Sequence, residues 1–248
     1  MKRRIPNRWR AWTSPALAAL LLAATTGYQL HAQSSSRYNP LRAAFMQAHF
    51  EEVMVLHDAI ARGDLQAARS EAAILAERSP AVPMPPGASA FQGALAKLAR
   101  EAAKAPAIES AALTVAEMLG TCGQCHEAMH VRAAVPTGKD IKVGGLVGHM
   151  LLHQHGSDAL IEGLVGPSDS QWGEGVRTFA SPKIADEMVP GRLTRKMRES
   201  ETALAVLAGR AAQAHRTRDR VEIYGQILAT CGNCHSTQAR HAGPDRRP

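Results

Sequence analysis

The chain has few aromatic side chains: three Trp, three Tyr and four Phe make up 4% of its 248 residues. β-Sandwiches draw on aromatic and β-branched residues to fill their facing layers. The scarcity here, with Ala and Leu recurring throughout, argues for helices packed through small and straight-chain side chains, an all-α protein. Charged residues at 21% against 45% hydrophobic exclude a disordered or collagen-like polymer. After the first 32 residues, no apolar run approaches the ~20 residues of a spanning helix. The chain also lacks a Gly-rich phosphate loop, a nucleophile elbow and a paired-carboxylate site, so no substrate pocket is legible. Cysteine is scarce too, with four in the whole chain.

The formal charge of +7 is concentrated at one end: Lys2, Arg3, Arg4, Arg8 and Arg10 precede any acidic residue. A basic start, an apolar stretch from Pro15 to Ala24 and the small residues Thr25, Thr26, Gly27 and Ala32 have the anatomy of an export signal over residues 1–32. The apolar core is too short for a membrane anchor, so a cleaved signal and a periplasmic mature protein are expected. The remainder carries 24 basic against 22 acidic residues, a near-neutral body unsuited to strong nucleic-acid binding.

In an exported chain, four cysteines would ordinarily read as two disulfides. Here all four fall in two copies of one pentapeptide, Cys122-Gly123-Gln124-Cys125-His126 and Cys231-Gly232-Asn233-Cys234-His235, preceded by Thr121 and Thr230. Cys-x-x-Cys-His is the c-type haem attachment pattern. Two thiols three positions apart on a helical turn can each form a thioether to a haem vinyl group, and the adjacent histidine turns its imidazole to the iron. A thioredoxin-like site needs a βαβ setting, and a Cys₄ zinc site usually separates its pairs by about 15–20 residues. Neither suits these motifs, so two covalently attached haem c groups are the expected cofactors.

The chain also repeats itself. Ala59-Ile60-Ala61-Arg62-Gly63 matches Ala159-Leu160-Ile161-Glu162-Gly163 at an offset of 100, Ser79-Pro80 matches Ser181-Pro182, Pro86-Gly87 matches Pro190-Gly191, and the motifs match at 109. The repetition implies two units of about 108 residues, over 33–136 and 141–248, with Pro136–Asp140 as connector. Gly and Pro punctuation predicts four helices in each: near 41–61, 64–77, 88–104 and 107–131, then 143–163, 169–180, 193–214 and 219–240. Asp64 and Ser89 are expected N-caps, and Trp172, Phe179 and Met118 are expected packing residues.

One such motif at the C-terminal end of the fourth helix of an all-helical unit resembles the cytochrome c-prime, or class II, family. The resemblance implies two tandem antiparallel four-helix bundles, each holding one haem with its sixth coordination position facing the first helix of the same unit. The family's attachment positions correspond to Cys122, Cys125, Cys231 and Cys234, and its proximal ligands to His126 and His235.

A true distal ligand should recur in both first helices. At offset 100, His49 meets His149, whereas Met46 meets Leu146, Met54 meets Gln154 and His153 meets Val53. His49 and His149 are therefore the expected distal ligands, a departure from the five-coordinate iron common in that family. The expected function is electron transfer between periplasmic redox proteins, not enzymatic turnover. Binding of nitric oxide or carbon monoxide at an open iron is the alternative, and a dihaem peroxidase, which needs two unlike irons, is a third reading.

Overall fold

The computed structural model describes residues 39–80, 82–133, 144–181 and 194–241; the expected signal segment and the connector Pro136–Asp140 lie outside them. Eight helices account for nearly all of these, and no strand occurs among the described residues. They are α1 (Pro40–Ala61), α2 (Leu65–Ala76), α3 (Ala88–Ala102), α4 (Ile108–Ala128), α5 (Gly145–Val165), α6 (Asp169–Phe179), α7 (Arg195–Ala211) and α8 (Thr217–His241). The all-α expectation holds, and the helix boundaries fall within three residues of those read from Gly and Pro punctuation. No described helix is long and apolar enough to cross a membrane. Contacts divide the chain between Ala44 and Phe45, and the unit beginning at Phe45 carries both Cys-x-x-Cys-His motifs.

Helix ends follow local chemistry. Gly63, at φ 74°, closes α1: its N–H donates to the Ile60 carbonyl while that of Asp64 donates to Ala59, a Schellman pattern. The Asp64 carboxylate then caps α2 by accepting from the Ala67 N–H at 2.9 Å. Ser168 does the same for α6, accepting from Gln171, and its own N–H donates to the Gly163 carbonyl. Ser89 is not a cap; Gly87, in the left-handed region at φ 88°, precedes α3 and leaves Ser89 inside the helix.

One apolar cluster draws on both repeats, from Val53 and Leu56 through Met118 and Leu119 to Leu164, Trp172, Ile227 and Leu228. Its spine is the antiparallel pair α4 and α8. A methyl group at Gly120 would meet Val221, and one at Gly225 would meet Leu113, so two glycines let the fourth helices of the two repeats approach at both ends of their crossing. Trp172 and Phe179 are buried as expected, the indole Nε1–H donating to the Ala211 carbonyl at 3.0 Å.

Tyr224 stands in the middle of α8, fully buried. Its hydroxyl lies 2.8 Å from His57 Nε2 of α1 and 2.9 Å from the Ser157 hydroxyl of α5, tying three helices through polar atoms inside the core. Such groups cost free energy when left unpartnered. Tyr224→Phe should destabilise the protein by about 1–3 kcal/mol, measured as a lowered denaturant midpoint at unchanged slope.

Candidate functional site

Both pentapeptides lie on helix, near the end of α4 and within α8, so each cysteine pair shares one turn. All four cysteines are free thiols. Because α4 and α8 run antiparallel, the motifs sit at opposite ends of the pair: Gly120 is beside Thr217 and Val221 at the start of α8, and Gly232 is beside Ile108 at the start of α4. At 1.5 Å rise per residue the two pairs are on the order of 20 Å apart. That separation precludes disulfides between motifs and a shared Cys₄ metal site.

The thiols are not poised for redox exchange. Desolvation, with a smaller contribution from the neighbouring cysteine, pushes Cys122 and Cys231 up to about 12. Cys125 and Cys234 are also raised, again chiefly by desolvation. Exchange-active cysteines need the opposite, a lowered value that populates thiolate.

Each motif glycine touches the far repeat. A Cβ at Gly123 would collide with the Leu164 carbonyl oxygen at the end of α5, and one at Gly232 with the Ile60 carbonyl oxygen at the end of α1. With no side chain at Gly123, α4 settles onto α5 and His126 Nδ1 comes 2.9 Å from the Val165 carbonyl oxygen. A carbonyl only accepts, so Nδ1 is the donor, which in the neutral imidazole leaves the lone pair on Nε2. That tautomer suits a metal-ligating histidine, with the backbone carbonyl as its outer partner. His235 is exposed.

The second motif has the denser set of described neighbours. Cys234, Leu146 and Met150 pack on Met197 of α7. His149 Nε2 lies 3.1 Å from Glu201 Oε1, both side chains nearly buried, and His153 Nε2 lies 3.8 Å from the same oxygen. The two imidazoles are tilted at 4.3 Å between centroids. Burial drives His153 down to about 4; Glu201 opposes the shift, and His149 and the proximal His235 add to it, which places His153 within electrostatic reach of the motif. The three donor atoms of His149, His153 and Glu201 lie within 4.8 Å of one another. In α1, His49 stacks on Phe45 at 5.9 Å and its Nδ1 is buried with no hydrogen-bond partner; burial first, then Arg78, lowers its proton affinity.

The structural register of the first helices differs from the expected one. Asp64 and Ser168 cap equivalent helices, Asp64 N–H to Ala59 matches Ser168 N–H to Gly163, and the carbonyls meeting the motif glycines are Ile60 and Leu164. All three pairs differ by 104, not 100. His49 therefore corresponds to His153, Met46 to Met150, and His149 to Phe45. The expected pairing of His49 with His149 is corrected by one helical turn. Offset 100 aligned Gly63 with Gly163, but these glycines differ in kind: Gly63 ends its helix, whereas Gly163 lies inside α5, where the Trp172 backbone approaches. The signal that finds the right register is Met-x-x-His, at Met46–His49 and again at Met150–His153.

The chemistry of these residues fits a haem c at each motif: paired thiols on one turn at both, an imidazole with its Nδ1 on a backbone carbonyl at the first, and the half-buried His153 on the α5 side of the second. Comparisons with family models, with curated proteins and with solved structures find no match. The motif glycines give a direct test of the packing. Gly123→Ala and Gly232→Ala should each destabilise by about 1–3 kcal/mol through overpacking against backbone, whereas Gly93→Ala and Gly209→Ala, where a methyl meets nothing, should stabilise by up to about 1 kcal/mol, read from thermal midpoints.

Proposed function

We propose that the protein is an exported dihaem cytochrome c that carries electrons between periplasmic redox proteins. The observation that carries this reading is the repeated Cys-x-x-Cys-His on two helices, with His126 held by a backbone carbonyl in the tautomer that frees Nε2. When bound, each haem supplies an iron that takes up and releases one electron. The chain's own residues fix and shield it. Cys122 and Cys125, or Cys231 and Cys234, would anchor the group covalently, and His126 and His235 would ligate its iron. Met150, Leu146 and Met197 cover the second site with apolar surface.

For the distal ligands we assign His49 to the first iron and, by structural register, His153 to the second. His149, the ligand expected from the sequence, stands one turn earlier beside Glu201. An iron closed on both sides changes little on reduction and resists gas binding, which suits electron carriage over nitric oxide sensing or peroxide chemistry. The His149, His153 and Glu201 donors also form a set that suits a divalent transition ion, which would take His153 away from the second iron, so zinc found by elemental analysis would count against that assignment.

The purified protein should carry two haems that survive acidic organic extraction; extractable haem, or a single haem, removes the reading. Its reduced spectrum should not change with carbon monoxide. His49→Ala should render only the first haem high-spin and carbon-monoxide-reactive, and His153→Ala only the second. An open second iron in His149→Ala instead would restore the offset-100 pairing, and methionine ligation in either site would show as loss of low-spin character in Met46→Leu or Met150→Leu.

A further inference from the structure

The two sites occupy matched positions but are not built from matched side chains. In α3 and α7 the register is 109: Ala103 N–H to Ala99 recurs as Ala212 N–H to Ala208, and Ala105 N–H to Ala102 as Ala214 N–H to Ala211. Glu201 therefore corresponds to Gln92, and by the 104 register His149 corresponds to Phe45. The second site thus holds a buried carboxylate against an imidazole at 3.1 Å, where the corresponding positions of the first repeat carry an amide and a phenyl ring.

Among the described residues, no buried carboxylate is paired with His49. Arg78 is close enough to His49 to depress its proton affinity, although it also pairs with Glu52. At the second site, Glu201 acts on Cys231, Cys234 and His153 alike. Lys196 is the opposing charge there, but it is an exposed ammonium on α7 and is screened by solvent, whereas Glu201 is enclosed. Little screening intervenes between Glu201 and a group seated over Cys231 and Cys234.

We propose that Glu201, paired with His149, is a potential-setting residue that makes the haem at Cys231 and Cys234 the lower-potential one, and that the neutral Gln92 leaves the haem at Cys122 and Cys125 the higher. The inference rests on the dihaem reading. One electron converts ferric to ferrous iron and removes one unit of positive charge, so a fixed carboxylate nearby favours the ferric side. An electron delivered to the chain would then settle on the first haem. Glu201 acts as a positioning and electrostatic residue and makes no bond to iron.

The test is a spectroelectrochemical titration of the full haem-loaded protein and of its exchanged variants. The unaltered protein should titrate in two one-electron steps. Glu201→Gln should shift the lower step upward by about tenfold in the ferric–ferrous equilibrium, about 59 mV for one electron, and leave the upper step in place. Gln92→Glu should lower the upper step in the same measure. Haem content and the low-spin spectrum of each variant establish that the site is intact. If Glu201→Gln does not assemble, Gln92→Glu decides alone: a fall in the upper step supports the inference, and an unmoved step overturns it. Two covalent haems whose potentials ignore both exchanges would overturn the inference and leave the dihaem reading standing; absence of covalent haem would sink the reading itself.

Discussion

The close approach of α4 and α8 is the constraint on which the rest depends. Two long helices normally keep side chains between their backbones, but Gly120 and Gly225 remove them at opposite ends of this crossing. The result is a central antiparallel pair that runs through the apolar core and whose far ends carry the cysteines. Each motif then lands on the end of a first helix from the other repeat, α5 for the first motif and α1 for the second. Tyr224 fixes the same arrangement from inside, since its hydroxyl has partners in both α1 and α5. The motif glycines thus have two roles: they sit between the thiols, and they let foreign backbone approach.

Most of the helical layout was legible because the chain punctuates itself. Asp64, Gly63, Gly87 and the Pro-containing loops stop and start helices by local chemistry, and local chemistry is written in the sequence. The motifs were legible for the same reason: two thiols and an imidazole on one turn need only consecutive residues. The register of the first helices was not, because a run of Ala, Ile and Gly matches as well at one turn's displacement as at the true offset. Only caps and backbone contacts, which depend on where the helix ends, distinguish 100 from 104. Glu201 was invisible for a different reason. It comes from another helix, α7, and nothing local links a glutamate at 201 to a histidine at 149.

The environment of the cysteines narrows their chemistry more than their spacing alone does. Burial pushes the Cys122 and Cys231 thiols up to about 12, away from the thiolate on which disulfide exchange depends. Covalent capture by a cofactor suits such sulfurs, because a thioether carries no charge to desolvate. The histidines obey the same rule of solvation. Burial lowers the proton affinity of His49 and His153, which favours the neutral imidazole that a metal requires.

The contacts of Gly123 with α5 and Gly232 with α1 are related as the two halves of an isologous interface, in which each contact appears twice across a two-fold axis. A homodimer of a single repeat would present the same surface to itself. In such a dimer a substitution is made in both copies at once, and any charge placed beside one site is placed beside the other. Joining the halves in one polypeptide lifts that restriction. Phe45 can stand where its counterpart is His149, and Gln92 where its counterpart is Glu201, without disturbing the shared seam. The covalent link therefore does more than hold the halves together: it frees the matched positions of the two halves to carry different side chains.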